Sequence, residues 1–439
     1  MYSKKALKLL EGMNFGDKIK VITSKTEYEG ILMPSHDFSD PNTIVLKLDN
    51  GYNVGVLIDD DTRVVLVEKK KSRKVERKLR GFSEDKPRVS LVTVGGTITS
   101  KVDYETGGVT SLMSPEELLE LVPELFERVN IVDIRNPFNR MSESMEFEDY
   151  ENLVKEVEKE LNKSDGVIVT HGTDTLHFTA AALSFAFHRS SKPIVLTGAQ
   201  RSSDRPSSDA AVNLICSAIA ASSDIAETMV CMHATVNDDY CYLLRGAKVR
   251  KMHSSRRDAF RPINDKPLAR VFPDGRIEKI QETKNREDRK VKAVNGFDKR
   301  VALVKAYPGS DPDLIEFYLS KGVKGIVVEA TGLGQVPLHT AEKKYSWLPA
   351  VKKAIKEGVV VCFAPQTLYG ALNPFVYSEA RVFKEAGVVF CKDMLPETAY
   401  IKLSWLLAHE KSTEEVKRKM LVNYVGELKE KLNIDEFLV

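Results

Sequence analysis

The sequence is poor in cysteine, has no long hydrophobic run and carries almost no net charge. Its five cysteines form no Cys-x-x-Cys pair, which is typical of reduced thiols and argues against a disulfide framework or a cysteine-ligated zinc site. No run of 18 apolar residues is present, so no segment is expected to span a membrane. No apolar stretch follows Met1 in the way that a signal peptide requires. We therefore expect a cytoplasmic protein.

Several common catalytic motifs are absent as well. No Gly-Lys dipeptide occurs, which excludes a Walker A loop, and no Gly-x-Ser-x-Gly is present, which argues against an α/β-hydrolase. Neither His-Glu-x-x-His nor a cysteine-rich ligand set appears, so metal catalysis lacks support. We expect no cofactor in this chain. Because 65 basic residues stand against 63 acidic ones, any contact with nucleic acid must come from a local patch.

The length of 439 residues, 42% of them hydrophobic, predicts a globular chain with several domains. Residues 1–68 are predicted to form a small β-barrel of the SH3 or Sm-like kind, because short β-branched runs alternate with turn residues. The predicted strands are 17–23, 26–32, 43–48, 53–57 and 62–67.

Residues 69–87 form a predicted basic linker. Positions 69–80 hold eight Lys or Arg residues and one Glu. Clustered cations gain free energy on binding RNA phosphates by releasing counterions. A solvated linker explains the same composition, and the sequence leaves both interpretations open.

The rest of the chain is predicted to be α/β, with an N-terminal lobe at 88–295 and a C-terminal lobe with terminal helices at 296–439. Short apolar runs alternate with helical stretches, which predicts parallel sheets covered on both faces. The charged residues 250–298 are interpreted as a crossover and a connection between lobes, and 413–432 as a helix. The predicted strands are 89–94, 166–170, 193–197, 228–233, 301–306, 325–329, 359–364 and 388–391, and the predicted helices include 116–126, 148–161 and 210–221.

Three of these strands are followed by short clusters that combine glycine with polar residues, at 95–98, 171–175 and 198–201. In open parallel sheets, ligands bind outside the carboxyl ends of the strands. Glycine lets backbone N–H groups approach a substrate, although at a strand end it often serves geometry alone. The five specified residues at 171–175 are a more specific signal than Gly-Gly-Thr.

Two of these clusters carry a family resemblance. Val94-Gly95-Gly96-Thr97-Ile98 and Gly166-x4-His171-Gly172-Thr173-Asp174-Thr175-Leu176 resemble the two signatures of the L-asparaginase/glutaminase family. The second match is complete, whereas the first has Val94 where many members have Thr. The resemblance extends from residue 88 to about 420. It implies two α/β lobes, a homodimer or larger assembly, and amide hydrolysis through an acyl-enzyme.

The resemblance also implies catalytic roles. Thr97 matches the family's nucleophilic threonine, which needs a base to take its proton. Thr173 matches the second catalytic threonine, and Asp174 its partner aspartate, which also holds the substrate α-ammonium group. Lys251, which ends a Gly-x4-Lys segment beginning at Gly246, fits the catalytic lysine. The alternative for Lys251 is an ordinary surface lysine.

The resemblance extends to further binding residues. Gly96 and Gly172 belong to the substrate-binding signatures, and Ser142 falls where the family has its substrate-carboxylate serine, although an ordinary loop serine is an equal interpretation. The mobile-loop tyrosine of the family has no clear match, with Tyr104 only nearby. The family also has a glutamate that comes from a neighbouring copy, and Glu379 is the candidate for it in this sequence.

The segment before residue 88 is not needed by a free asparaginase. A small β-barrel and a charged linker fused to this body resemble the amide-hydrolysing subunits of archaeal tRNA-dependent amidotransferases. That resemblance implies release of ammonia from glutamine or asparagine inside an ATP-dependent ligase complex. It also implies a partner subunit that binds Glu-tRNA(Gln), holds ATP and Mg, and receives the ammonia, in a heterotetramer with two copies of each subunit.

Two other functions are possible from the sequence. A free-standing cytosolic asparaginase with an accessory domain would be highly active on asparagine alone. A catalytically silent RNA-binding or scaffold protein would have no need for Thr97, Thr173, Asp174 and Lys251 together, so their presence argues against it.

Overall fold

The computed structural model describes residues 2–34, 40–48, 53–69, 83–96, 101–102, 109–110, 122–201 and 208–437. Along the chain these residues form an N-terminal β domain, a large α/β lobe and a smaller α/β lobe. Most of the basic linker, residues 70–82, lies outside the described residues. Within them, no helix combines the length and the apolar character that crossing a membrane requires.

The N-terminal domain is a five-stranded antiparallel sheet in the order β4-β3-β2-β1-β5. Its elements are α1 (Lys4–Leu9), β1 (Lys18–Ile22), β2 (Glu27–Leu32), β3 (Thr43–Lys47), β4 (Asn53–Leu57) and β5 (Arg63–Glu68). Ile19, Val21, Ile44 and Leu46 alternate into its core, because side chains two apart in a strand share a face. The five predicted strands are confirmed to within one residue at each end, whereas α1 was not predicted.

The N-terminal lobe is built on an eight-stranded sheet in the order β17-β16-β13-β12-β11-β10-β6-β9. The strands from β9 to β12 pair in parallel, and those from β12 to β17 pair antiparallel. Two further pairs, β7 with β8 and β14 with β15, form separate two-stranded sheets. The described strands of the lobe are β6 (Arg88–Thr93), β7 (Lys101–Val102), β8 (Val109–Thr110), β9 (Asn130–Arg135), β10 (Gly166–Thr170), β11 (Ile194–Thr197), β12 (Thr228–His233), β13 (Cys241–Arg245), β14 (Val249–Lys251), β15 (Phe260–Pro262), β16 (Ala269–Val271) and β17 (Ile277–Lys279). The described helices of this lobe are α2 (Leu125–Arg128), α3 (Phe147–Leu161), α4 (Leu176–Ala186) and α5 (Ala210–Ala221). The predicted helix at 116–126 lies mostly outside the described residues.

The interpretation of residues 250–298 as a connection was wrong for its first part. Residues up to 279 form β15, β16 and β17, which extend the sheet or pair with β14. These strands are three residues long, and in β16 the buried Ala269 and Val271 flank the exposed Arg270. So short an alternation in a charged segment gives too weak a hydrophobic signal to be read from sequence. The connection itself is confined to the residues after β17.

The C-terminal lobe has a four-stranded parallel sheet in the order β18-β19-β20-β21. Its elements are β18 (Val301–Lys305), α6 (Asp313–Ser320), β19 (Gly325–Ala330), α7 (Trp347–Lys356), β20 (Val360–Pro365), α8 (Ser378–Glu385), β21 (Val389–Phe390), α9 (Pro396–His409) and α10 (Thr413–Met420). The helix predicted at 413–432 ends at Met420. Beyond it, the buried carboxylate of Glu427 accepts bonds from the backbone N–H groups of Tyr424 and Val425, which holds the chain in a turn.

The two lobes share one hydrophobic cluster. Helix α9 of the C-terminal lobe packs against α4 of the N-terminal lobe. Phe185 of α4 stacks on Trp405 of α9 with ring centroids 5.8 Å apart, and Val169 and Val327 from the two sheets belong to the same cluster. The β domain has a separate core.

Candidate active site

A buried histidine holds the loop that follows β10 in place. His171 is fully buried; its Nδ1 lies 2.7 Å from the Gly172 carbonyl oxygen, and its Nε2 lies 2.8 Å from Thr179 Oγ1. Because a carbonyl only accepts, Nδ1 carries the hydrogen and Nε2 accepts from the threonine hydroxyl. Burial lowers the pKa of His171 to about 4, so the ring is neutral at pH 7 and serves to hold the loop.

Two glycine loops meet at this point without room for a side chain. A Cβ on Gly96 would lie 2.3 Å from both the N and the Cα of Gly172, and a Cβ on Gly172 would lie 3.0 Å from Ser142 Oγ. Ser142 is buried, and its carbonyl oxygen accepts a 2.6 Å hydrogen bond from Thr175 Oγ1. The structure therefore brings Gly96, Gly172 and Ser142 together.

A lysine joins the two polar residues after Gly172. Lys251 Nζ donates to Thr173 Oγ1 at 2.8 Å and to Asp174 Oδ1 at 2.7 Å. The side chains of Lys251 and Asp174 are 9% and 68% exposed, and Thr173 is buried. The ammonium group thus sits at the base of the site, while the carboxylate faces solvent. This geometry disagrees with an ordinary surface position for Lys251.

A second buried histidine lies beside this group, in the first turn of α4. Burial lowers the pKa of His177 to about 3, and the nearby positive charges of Arg250 and Lys251 act in the same direction. Its Nδ1 has no hydrogen-bond partner among the described residues. The imidazole is therefore neutral, and no sequence motif pointed to it.

The third glycine-containing loop also reaches this site. A Cβ on Gly198 would lie 2.9 Å from Thr173 Cγ2. The loop is held by the buried Asp209, whose carboxylate accepts from the backbone N–H groups of Gln200 and Arg201 at 3.0 Å. Sequence reasoning missed Asp209. An aspartate directly before a helix predicts a cap of that helix, whereas the Asp209 side chain makes no capping bond to α5 and holds the preceding loop instead.

Other predicted residues are placed differently. Thr97 and Tyr104 lie outside the described residues. Glu379 is half-buried in the first turn of α8, where its side chain accepts from Ser378 Oγ at 3.0 Å, and its contribution to the site of a neighbouring copy stays a prediction.

The architecture and the site define the class of protein. The model of the family described as "Asparaginase, N-terminal" matches residues 88–285, and that of the "Glutaminase/Asparaginase C-terminal domain" matches 300–420. The L-asparaginase from Thermococcus kodakarensis superposes with a TM-score of 0.69 at 27% identity, covering 78% of this chain and all of that one. L-asparaginase I from Vibrio cholerae gives 0.67 at 29% identity, covering 78% and 99%. Residues 88 onwards thus have the asparaginase-type α/β fold.

Closer relatives cover the β domain as well. The model described as "GatD N-terminal domain" matches residues 13–67. The D subunit of the glutamyl-tRNA(Gln) amidotransferase from Pyrococcus horikoshii is 47% identical over 98% of both chains, and its counterpart from Methanothermobacter thermautotrophicus is 44% identical over 99% of both. The chain belongs to the family of glutamyl-tRNA(Gln) amidotransferase D subunits.

Proposed function

We propose that this chain is the amide-hydrolysing subunit of a tRNA-dependent amidotransferase. It releases ammonia from the side chain of glutamine or asparagine. A partner E subunit, which holds ATP and Mg, uses the ammonia to convert Glu-tRNA(Gln) to Gln-tRNA(Gln). The observation that carries the proposal is the pair of hydrogen bonds from Lys251 Nζ to Thr173 and Asp174, beside the glycine loop that leads to Thr97.

The reaction is an acyl transfer in two steps. The hydroxyl oxygen of Thr97 attacks the carboxamide carbon, its proton passes to the departing nitrogen, and ammonia leaves an acyl ester. Water then cleaves the ester to the free acid and restores the hydroxyl. Thr173 Oγ1 accepts from Lys251, so its own hydroxyl hydrogen is available to a reacting atom. Lys251 and Thr173 thereby act as one proton-carrying unit.

Substrate binding uses the exposed edge of the same group. The Asp174 carboxylate, 68% exposed, is available to the α-ammonium group of an amino acid. Gly96 and Gly172 have no side chain, so a substrate can approach the backbone of both, and Ser142 beside them is the proposed contact for the α-carboxylate. The β domain is shared with the D-subunit relatives, which match this chain over nearly its full length. Its proposed task is to dock the partner or tRNA.

The proposed assembly is cytoplasmic and contains two copies of this chain and two of the E subunit. It includes a homodimer of this chain, with Glu379 reaching the neighbouring site. The basic residues 69–80 supply a contact for tRNA phosphates. The competing function is a free-standing asparaginase, which the accessory β domain disfavours.

The test is ammonia release from glutamine by the full chain, alone and with an archaeal extract containing charged tRNA. We expect strong stimulation by the extract, and its loss in Thr97→Ala, Thr173→Val and Lys251→Ala. Thr340→Ala, which changes a half-buried threonine of the other lobe, is the matched control and should keep full activity. Near-normal release by Thr97→Ala would overturn the nucleophile assignment. Full activity on asparagine without any response to extract would return the chain to the free-standing asparaginases.

A further inference from the structure

The lysine of the active site is carried by a hairpin that stands apart from the two main sheets. Strand β14 ends at Lys251, and among the described strands it pairs only with β15, as a separate two-stranded sheet. Hydrogen bonds within the eight-stranded sheet therefore do not fix its position. Whatever holds the hairpin also sets the distance between Lys251 Nζ and Thr173 Oγ1.

The segment just before this strand is bonded to the C-terminal lobe. Lys248 Nζ donates to the carboxylate of Asp393 and, at 3.2 Å, to its carbonyl oxygen. Both side chains are essentially fully buried. Thr398 Oγ1, in the first turn of α9, donates to the carbonyl oxygen of Ala247 at 3.0 Å. The approach to β14 is thus attached to the N-terminal end of α9.

A third contact lies directly next to the catalytic lysine. The guanidinium of Arg250 forms an ion pair with Glu397 of α9, whose side chain is 7% exposed. The second oxygen of Glu397 is buried and has no partner among the described residues. Successive side chains of a strand point to opposite faces, so Arg250 holds β14 from the face opposite Lys251.

From these contacts we infer that Arg250 and Glu397 are positioning residues for amide hydrolysis, through which the C-terminal lobe sets the place of Lys251. Helix α9 holds β14, and β14 presents the ammonium group to Thr173 and Asp174. The inference rests on the proposed function. It adds that the position of the C-terminal lobe relative to the N-terminal lobe controls the rate of amide hydrolysis. A ligand or partner that moves α9 relative to α4 changes the rate without touching the substrate.

The test compares single and double variants in the full chain, assayed with the partner and charged tRNA that stimulate it. We expect Arg250→Ala and Glu397→Ala each to lower kcat about tenfold, because a small displacement of a catalytic group has a large effect on rate. KM for glutamine should stay within about twofold. The double variant should be no slower than the slower single variant, since both changes remove one contact. Arg250→Lys keeps the charge and should recover part of the loss.

Arg286→Ala is the matched control. Arg286 is exposed to a similar extent, 28%, and is paired with Asp165 in the N-terminal lobe. If Arg286→Ala lowers kcat and Tm as much as Arg250→Ala does, the Arg250 effect reflects a general loss of stability. That result would overturn the inference. If Arg250→Ala fails to fold, Glu397→Gln, which keeps the shape of the side chain, must still lower kcat several-fold.

Lys251→Ala separates the two proposals. If it is inactive while the Arg250 and Glu397 variants have normal kcat, the proposed function stands and the positioning role is refuted. If Lys251→Ala keeps normal activity, the assignment of the active site fails first.

Discussion

The contact between Gly96 and Gly172 makes Gly96→Ala a direct perturbation of the active site. Gly96 has φ +89°, and its Cβ would lie 2.3 Å from two backbone atoms of Gly172. Carbon atoms in van der Waals contact are about 3.5–4.0 Å apart, so one loop must move by more than about 1 Å. Neither neighbouring atom belongs to a flexible side chain, and the backbone itself has to shift.

The losses of stability and of rate in Gly96→Ala have separate causes. A non-glycine residue in the left-handed region costs roughly 1–2 kcal/mol, which lowers stability but not the rate of the folded enzyme. A displacement of about 1 Å between catalytic groups costs on the order of 100-fold in rate. We therefore expect kcat for ammonia release to fall on the order of 100-fold, with a decrease in Tm of a few degrees.

The assay measures ammonia release and thermal unfolding on the same preparations. Gly358→Ala is the matched control, because Gly358 has φ +83° and nothing within 4 Å of its Cβ position. It carries the same backbone strain without the collision, so it should lose Tm and keep kcat. Wild-type kcat in Gly96→Ala would refute the reasoning, as would an equal loss of kcat in Gly358→Ala.

Two further predictions concern stability. Lys402 and Glu427 form a fully buried ion pair, so Lys402→Met should cost about 3–5 kcal/mol of unfolding free energy by leaving Glu427 unpaired; denaturant titration checks this, and a loss below about 1 kcal/mol would contradict it. His171 and His177 have pKa values lowered by burial to about 4 and about 3, whereas in the unfolded chain each titrates near 6.5. Their stabilisation is therefore full above pH 6.5 and is lost as pH falls from 6.5 toward 4, by about 1.4 kcal/mol per pH unit for each histidine. Unfolding free energies between pH 7 and 5 should show this slope, and His177→Phe should reduce it; an unchanged slope in that variant would refute the assignment.

Local patterns were sufficient for much of the fold. The strands at Gly166–Thr170 and Thr228–His233 and the helix at Ala210–Ala221 have the predicted bounds, because each is a clear apolar run between polar turns. Helix α4 was not predicted, although ten of its eleven residues are buried. It is apolar on all sides, so it lacks the amphipathic period that marks a surface helix.

The site residues also divide into those that a local pattern predicts and those that it does not. Thr173 and Asp174 stand within one motif, so their joint position follows from the strand end alone. Lys251 reaches them across 77 residues or more of sequence, and the family resemblance was needed to select it over Lys248. Lys248 instead enters the core, where Asp393, 145 residues further on, neutralises it. No local pattern reports such a partner, and for that reason the contacts of α9 with β14 were not foreseen.

The hydrophobic cluster that the two lobes share has a consequence for how the enzyme unfolds. Because Phe185 and Trp405 stack across the boundary, and both sheets contribute to the same cluster, neither lobe retains a complete core after the other is lost. We therefore expect residues 88–437 to unfold as one cooperative unit and the β domain, which has its own core, to unfold separately. Because α9 packs against α4, a fluctuation that loosens α9 also loosens α4 and the loop before α4, which contains Thr173.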